Sequence, residues 1–246
     1  MQINPKIIKK QFEKSMEKYN DNAVVQNITA QKLVQNLIKI NQNFENVLEL
    51  GCGTGLLTKE LIENINYKKY YANDLVEKSK QYLSEISPEF TFICGNAQKI
   101  KTSQKMDLII SNAMFQWFSS LDKLREHLTN ILNKDGILAF STFSPENYKE
   151  IRKLCGLSLE YKTLDELKEI FSDNFEILYT EEFKYTMQFS NPLELLAHMK
   201  NTGVNSLSIK HRNFKAIKEF CDSYKSAYPD LTLTYSPIIV ICKKIA

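Results

Sequence analysis

Between Val47 and Gly55 the chain reads Val-Leu-Glu-Leu-Gly-Cys-Gly-Thr-Gly, an apolar run that ends in three glycines at alternate positions. The run has the character of a strand, and Thr54–Asn64 behind it is amphipathic at helical spacing, so the glycines occupy a strand-to-helix turn. Gly51 and Gly53 let the backbone turn tightly and approach a ligand with no Cβ in the way. The helix that follows offers free N–H groups and the positive end of its dipole. A dinucleotide fingerprint, Gly-x-Gly-x-x-Gly, needs its third glycine at position 56, which is Leu56; here the third glycine is Gly55, and an acid, Glu49, stands two residues before Gly51. Asp74 closes the run Tyr70-Tyr71-Ala72-Asn73 and comes 23 residues after Gly51. A carboxylate at the end of a second strand can accept both ribose hydroxyls of a nucleotide. Cys94-Gly95-Asn96-Ala97 follows a third strand, and the Asn96 amide oxygen can accept a hydrogen bond, although without a charge. Asp107–Asn112 is a buried strand ending in polar residues at the same edge, where open α/β sheets bind their ligands.

The elements that must hold these residues alternate along the chain. Short apolar runs at Asn46–Leu50, Tyr70–Asn73, Phe90–Cys94, Leu108–Ser111 and Ile137–Phe143 are separated by amphipathic stretches at Thr54–Asn64, Val76–Ile86, Leu121–Leu132 and Glu146–Leu154. This β-α rhythm predicts an α/β fold with a parallel sheet, right-handed crossovers and helices on both faces. Ile8, Phe12, Met16 and Tyr19, then Val24, Ile28, Leu33 and Leu37, predict two helices broken near Asn20-Asp21-Asn22. Later come a helix at Leu164–Phe171, a long strand at Phe175–Phe189 and a last strand at Leu231–Lys243. The forty or so residues between those strands carry helical patterns at Pro192–Lys200 and Arg212–Tyr224, far more than a hairpin needs. The organisation expected is one domain over 1–246, with a helical arm at 1–40 and a helical insertion at 190–230 on the substrate side.

The Gly-x-Gly-x-Gly loop preceded by an acid resembles class I methyltransferases, which have a Rossmann-like, mostly parallel seven-stranded sheet. The resemblance implies S-adenosylmethionine as cofactor, with the glycine loop on its methionine part and Asn96 receiving the adenine amino group where those enzymes commonly have Asp. The residues expected around it are Gln26, Glu49, Gly51, Cys52, Gly53, Asp74, Leu75, Asn96, Ala97 and Asn112. From Ser111-Asn112-Ala113-Met114-Phe115-Gln116-Trp117 onward the chain resembles one family in particular, the malonyl-acyl-carrier-protein O-methyltransferases of biotin synthesis. Phe12…Tyr19-Asn20…Ala23…Gln26 and Phe140-Ser141-Thr142-Phe143 followed by Glu150-Ile151-Arg152 are similar to that family's patterns. So are Lys200-Asn201-Thr202-Gly203-Val204-Asn205-Ser206-Leu207 in the insertion and Leu233-Thr234-Tyr235 entering the last strand, which methyltransferases in general lack. Asn20 and Asn96 stand where Asp is usual. Trans-aconitate methyltransferases are similar at the Asn-x-x-x-Gln-Trp segment and also methylate a carboxylate; the insertion motif favours the biotin-pathway family. A cofactor-binding assembly protein without transferase activity is the alternative from another class.

What the resemblance implies chemically is methyl transfer to the free carboxylate of malonyl on an acyl carrier protein. A carboxyl of pKa near 4 is already ionised at neutral pH, so no general base is required, and none is evident at the sheet edge. Alignment and exclusion of water would carry the rate. Arg152 is the first candidate to clamp the acceptor carboxylate, because a guanidinium binds carboxylates through two hydrogen bonds. Tyr19 and Gln26 are expected to close over the cofactor, and Phe115 and Trp117 to wall the methyl pocket. His198 has no partner at metal-ligand spacing and reads as a packed helix residue. Lys200, Lys210, His211, Arg212 and Lys215 form a candidate basic docking face for the acidic carrier protein.

Composition narrows the classes further. Thirty-two basic against 29 acidic residues leave a net charge of +3, too even a balance for nucleic-acid binding. Five cysteines, Cys52, Cys94, Cys155, Cys221 and Cys242, are widely spaced with no Cys-x-x-Cys pair, which is neither a disulfide framework nor a zinc site. The N-terminus has no signal-like apolar core, and Ile238–Cys242 is far too short to cross a bilayer, so a cytoplasmic protein is expected.

Overall fold

The computed structural model describes residues 4–87, 89–156, 159–204 and 214–245. Two helices come first, α1 (Pro5–Asn22) and α2 (Val24–Leu37), hinged at Ala23. Asn4 starts α1: its side-chain oxygen accepts the Lys6 N–H, and Pro5 sits at the first helical position, where a missing N–H costs nothing. There follow β1 (Asn43–Leu50), α3 (Leu56–Asn64), β2 (Asn66–Asp74), α4 (Ser79–Ile86), β3 (Thr91–Cys94), β4 (Met106–Ser111), α5 (Leu121–Ile131) and β5 (Leu132–Phe143). The second part runs α6 (Lys149–Cys155), α7 (Leu164–Ser172), β6 (Phe175–Glu182), β7 (Tyr185–Gln188), α8 (Pro192–Asn201), α9 (Phe214–Ala227), β8 (Thr232–Tyr235) and β9 (Pro237–Lys244).

Seven strands form one sheet in the order β3-β2-β1-β4-β5-β9-β6, parallel from β3 to β5, with β9 antiparallel between β5 and β6. The direction of winding reverses between β1 and β4, which leaves a crevice beyond their carboxyl ends. One face of the sheet packs Val47, Leu108, Ile110 and Ile239 against Leu33 and Leu37 of α2 and Leu57 and Leu61 of α3. The other packs Leu48, Ile109 and Val240 against Leu124, Leu128 and Phe171.

The two long strands expected late in the chain are each broken. Phe175–Phe189 divides at Phe183-Lys184, and Leu231–Lys243 divides at Ser236. Their inner halves, β7 and β8, leave the main sheet and pair with each other. The break follows from the covering elements: Phe143, Tyr148, Leu195, Phe220, Tyr224, Leu233 and Tyr235 form a third apolar cluster, beyond the sheet edge, on which β7, β8, α8 and α9 close. No helix among the described residues is long and apolar enough to cross a membrane.

Candidate functional site

A cavity of about 630 Å³ opens at the carboxyl ends of β1, β2 and β4. That is the size range of cofactor and small-molecule sites. The glycine loop forms its floor. Gly51, Gly53 and Gly55 all have positive φ, at 70°, 54° and 84°. A Cβ on Gly51 would run into the Met114 sulfur, so any side chain there would have to displace that neighbour as well as adopt positive φ. The Gly51 and Cys52 N–H groups donate to the Asn73 carbonyl at 2.8 and 3.0 Å, which ties the loop to the end of β2. Asp74 completes the tie: one carboxylate oxygen accepts the Gly53 N–H and the other the Val76 N–H, each at 2.8 Å. Burial raises the Asp74 pKa, against the hydrogen bonds that hold its charge.

Glu49 reaches the cavity from inside the sheet. Its Oε2 accepts from the hydroxyls of Thr58, at 2.6 Å, and Tyr70. Its Oε1 is buried with no hydrogen-bond partner among the described residues. Burial pushes this carboxyl up to about 7. A buried carboxylate oxygen left unpaired on a cavity wall is costly unless a donor or cation arrives there.

Most of the expected cofactor residues do line this cavity: Glu49, Gly51, Cys52, Gly53, Asp74, Leu75, Asn96, Ala97 and Asn112. The Asn96 side-chain oxygen already accepts the Gln98 N–H at 2.9 Å, which caps the single 3₁₀ turn Ala97–Lys99 and leaves one lone pair for a ligand. One face of α1 forms the roof, with Ile8, Phe12, Met16 and Tyr19 along it. Asn20 fastens the roof to the floor by accepting the Thr54 hydroxyl at 2.5 Å.

Behind this cavity lies a recess of about 20 Å³ that shares Phe12, Tyr19, Gln116 and Trp117 with it and is closed by Tyr148, Tyr161 and Thr202. Gln26 belongs to the recess and not to the large cavity; its Oε1, like Trp117 Nε1, is buried with no partner among the described residues. Gln26 is held in register by its main-chain oxygen, which accepts from the Asn112 side chain at 2.9 Å. Phe12 meets Trp117 edge to face at 5.9 Å, and a Cβ on Gly203 would lie 3.3 Å from the Phe12 ring. The insertion motif therefore packs its Thr202-Gly203 turn against the arm. Its Asn205-Ser206-Leu207 portion lies outside the described residues.

Two expected site residues are elsewhere. Phe115 is buried in the core, stacked on Phe140 with ring centroids 4.1 Å apart and packed on Phe171, and lines neither the cavity nor the recess. In the one-turn 3₁₀ segment Phe115–Trp117 side chains point about 120° apart around the axis, so Trp117 can face the ligand space while Phe115 faces the sheet. Arg152 also misses both spaces. Its guanidinium donates to the Pro145 carbonyl and lies 3.9 Å from Glu146, turned back along its own loop. Residues that chemical type alone did not single out close the recess instead: Tyr148, Tyr161, Gln116 and Thr202. Of these, Gln116 and Thr202 stood in motifs already noted; Tyr148 carried no local signal.

Comparison with known proteins defines the class first. A family model described as a methyltransferase domain matches residues 48–140. The fold is shared with a putative methyltransferase of Bacillus halodurans, at TM-score 0.62 and 16% identity over 87% of this chain and 99% of that one. It is shared too with the N-methyltransferase NodS of Bradyrhizobium japonicum solved with S-adenosyl-L-homocysteine, at TM-score 0.52 and 11% identity over 88% and 86%. The chain is an S-adenosylmethionine-dependent methyltransferase. Full-length relatives are more specific. The malonyl-[acyl-carrier protein] O-methyltransferase of Haemophilus influenzae is 33% identical over 96% of this chain and 93% of its own. That of Bacteroides thetaiotaomicron is 34% identical over 98% and 99%. The chain belongs to the malonyl-[acyl-carrier protein] O-methyltransferase family.

Proposed function

We propose that the chain methylates the free carboxylate of malonyl carried on acyl carrier protein, the opening step of biotin synthesis, working as one methyltransferase domain in the cytoplasm. The observation that carries the substrate chemistry is the recess: none of its described lining residues is charged at neutral pH, and none is a general base. Burial raises the Tyr19 phenol far above neutrality, so it can donate a hydrogen bond but not take a proton. A site of this kind suits an acceptor that needs no deprotonation, as an ionised carboxylate does.

The floor fits S-adenosylmethionine, because the unpaired Glu49 oxygen suits the cationic amino group of a methionine moiety and the glycine turn leaves room for it. The cofactor, when bound, supplies an electrophilic sulfonium methyl group. Glu49 would hold the amino group, Asp74 the ribose hydroxyls, and Asn96 with Ala97 and Leu75 the adenine. Cys52 and Asn112 would line the methionine part. Tyr19, Trp117 and the roof helix would exclude water and keep the acceptor in line. The clamp first expected of Arg152 falls instead to the neutral donors of the recess.

The carrier protein would dock on a basic face that includes Lys200 and Lys215. Both are exposed, and Lys215 makes a loose 4.0 Å pair with Glu219. Lys210, His211 and Arg212, expected on the same face, lie outside the described residues. The test is transfer of labelled methyl from the cofactor. Malonyl carrier protein should be labelled and acetyl carrier protein should not. Turnover of trans-aconitate or free malonyl thioester as fast as the carrier-bound form would replace the carrier with a small acid. Charge reversal at Lys200 and Lys215 should raise KM for the carrier substrate several-fold and leave the free thioester unaffected.

A further inference from the structure

Two features of the chain are left unused by the cofactor site: the Leu233-Thr234-Tyr235 motif and the buried His198. They meet behind the recess. The hydroxyls of Tyr148 and Tyr235 are 2.7 Å apart, and the Tyr235 hydroxyl is 2.6 Å from His198 Nε2. Of the three, only Tyr148 lines the recess. The Thr202 hydroxyl, from the insertion motif, donates back to the His198 carbonyl at 3.0 Å, which fixes the turn that closes the recess beside Tyr148.

Tyr148 is held in this place at a cost. Its backbone is left-handed, with φ 53° and ψ 36°, a conformation that a large residue adopts only when its surroundings impose it. The surroundings are the same motif. The Tyr148 N–H donates to the Thr234 carbonyl at 2.8 Å, and Thr234 donates from its N–H and its hydroxyl to the buried Glu150 carboxylate at 3.0 and 2.5 Å. Across the recess, Ala113 is also left-handed, with φ 53°. Left-handed backbone on both walls of one small space is local strain of the kind that functional sites hold.

We propose that Tyr148 is the hydrogen-bond donor that seats the acceptor carboxylate, and that Tyr235 and His198 are positioning residues that aim its hydroxyl. This rests on the carboxylate-methylating function proposed above and names the groups that would carry it. A neutral imidazole has one N–H and one lone pair. Burial lowers the His198 pKa to about 4, so the ring is neutral. Without an acceptor in the recess the Tyr148 hydroxyl donates to Tyr235. With the proton on His198 Nε2 the relay runs the other way, ring to Tyr235 and Tyr235 to Tyr148, and the Tyr148 hydrogen turns into the recess. An anion there selects that direction, because the opposite one presents only lone pairs. The recess admits a group about the size of one water, which is enough for a carboxylate oxygen reaching in from the large cavity. Seating by neutral donors leaves the oxygen more nucleophilic than a guanidinium or ammonium partner would.

The experiment is steady-state kinetics on Tyr148→Phe, Tyr235→Phe, the double variant, His198→Leu and His198→Gln, with calorimetric cofactor binding and melting curves for each. The parent protein's labelling of malonyl carrier protein is measured first; if it fails, the substrate assignment falls, and the same panel is run on whichever carboxylate the parent turns over. Tyr148→Phe should lower kcat/KM by ten- to a hundredfold, mainly through KM, and change the cofactor Kd by less than threefold. Tyr235→Phe should lower kcat/KM by several-fold in the parent and have no further effect in Tyr148→Phe. His198→Leu should match Tyr235→Phe, and His198→Gln, which keeps a donor, should recover most of that loss. A Tyr148→Phe protein within twofold of the parent overturns the proposal. So does a Tyr235→Phe loss that is undiminished without the Tyr148 hydroxyl. Should Tyr148→Phe not fold, equal activity of His198→Leu and His198→Gln overturns it.

Discussion

Replacing Glu49 by Gln separates two consequences of one buried carboxyl. Burial holds its pKa at about 7, against an ordinary 4.5. Between those values the folded protein keeps a proton that the unfolded chain has lost. The stability this group contributes is therefore fully present below pH 4.5 and is lost as the pH rises through 7. The gap corresponds to about 3 kcal/mol. Gln is neutral throughout, and its oxygen can still accept from Thr58 and Tyr70. Ligand-free Glu49→Gln should thus melt higher than the parent at pH 8, and most of that lead should be gone at pH 5. At roughly 2–4 °C per kcal/mol for a chain of this size, the lead at pH 8 is several degrees. Cofactor binding should move the other way. The variant should bind S-adenosylmethionine at least tenfold more weakly at pH 8, and the parent's affinity should rise with pH up to about 7. Scanning fluorimetry and calorimetry at four pH values between 5 and 8 measure both trends. A melting difference that does not change with pH would refute the burial argument, and unchanged cofactor affinity would refute the assignment of Glu49 to the amino group.

Three further outcomes follow from the site. Asp74→Asn leaves one of two backbone N–H groups, on Gly53 or Val76, facing an amide instead of an acceptor, a loss of about 1–3 kcal/mol that should lower the melting temperature. With the carboxylate also taken from the ribose hydroxyls, cofactor Kd should rise by roughly tenfold or more in calorimetry. Gly51→Ala forces a side chain into the Met114 sulfur at positive φ, and should weaken cofactor binding at least tenfold while lowering the melting temperature by a few degrees. Arg152→Ala should leave KM for the acceptor within twofold, because its guanidinium is turned to Pro145 and Glu146; a tenfold rise would restore it as the clamp.

The parts of the site that could be read in advance are those fixed by backbone geometry within a short stretch. The glycine loop announces itself because three positive φ values within five residues favour glycine, and a side chain at Gly51 would meet Met114. Asp74 follows because a βαβ unit fixes its distance from that loop. Tyr148, Tyr235 and His198 were out of reach: their hydroxyls and ring meet only because β8 leads into β9, beside β5, and because α8 brings His198 onto Tyr235. No spacing along the chain encodes that meeting. Arg152 shows the opposite failure, a residue of suitable chemistry whose direction is set by a neighbouring carbonyl and carboxylate. Phe115 and Trp117, two positions apart, show that aromatic character does not say which way a side chain faces. The late strands were read as continuous because alternation persists across Phe183-Lys184 and Ser236, while the turn away from the sheet is dictated by the helices that cover it.

The stripe of Ile8, Phe12, Met16 and Tyr19 on α1 has the spacing of a core-facing helix, yet what it faces is the cofactor space. A helix that packs on a ligand counts that ligand among its own interior. Order in residues 5–22 is then linked to occupancy by mass action, the same free energy that binds the cofactor also pinning the helix. Amide hydrogen exchange should show it as slowed exchange across α1 when S-adenosylmethionine is added, larger than in α2, whose apolar face is filled by protein alone; equal protection of the two helices would mean that α1 carries its own weight.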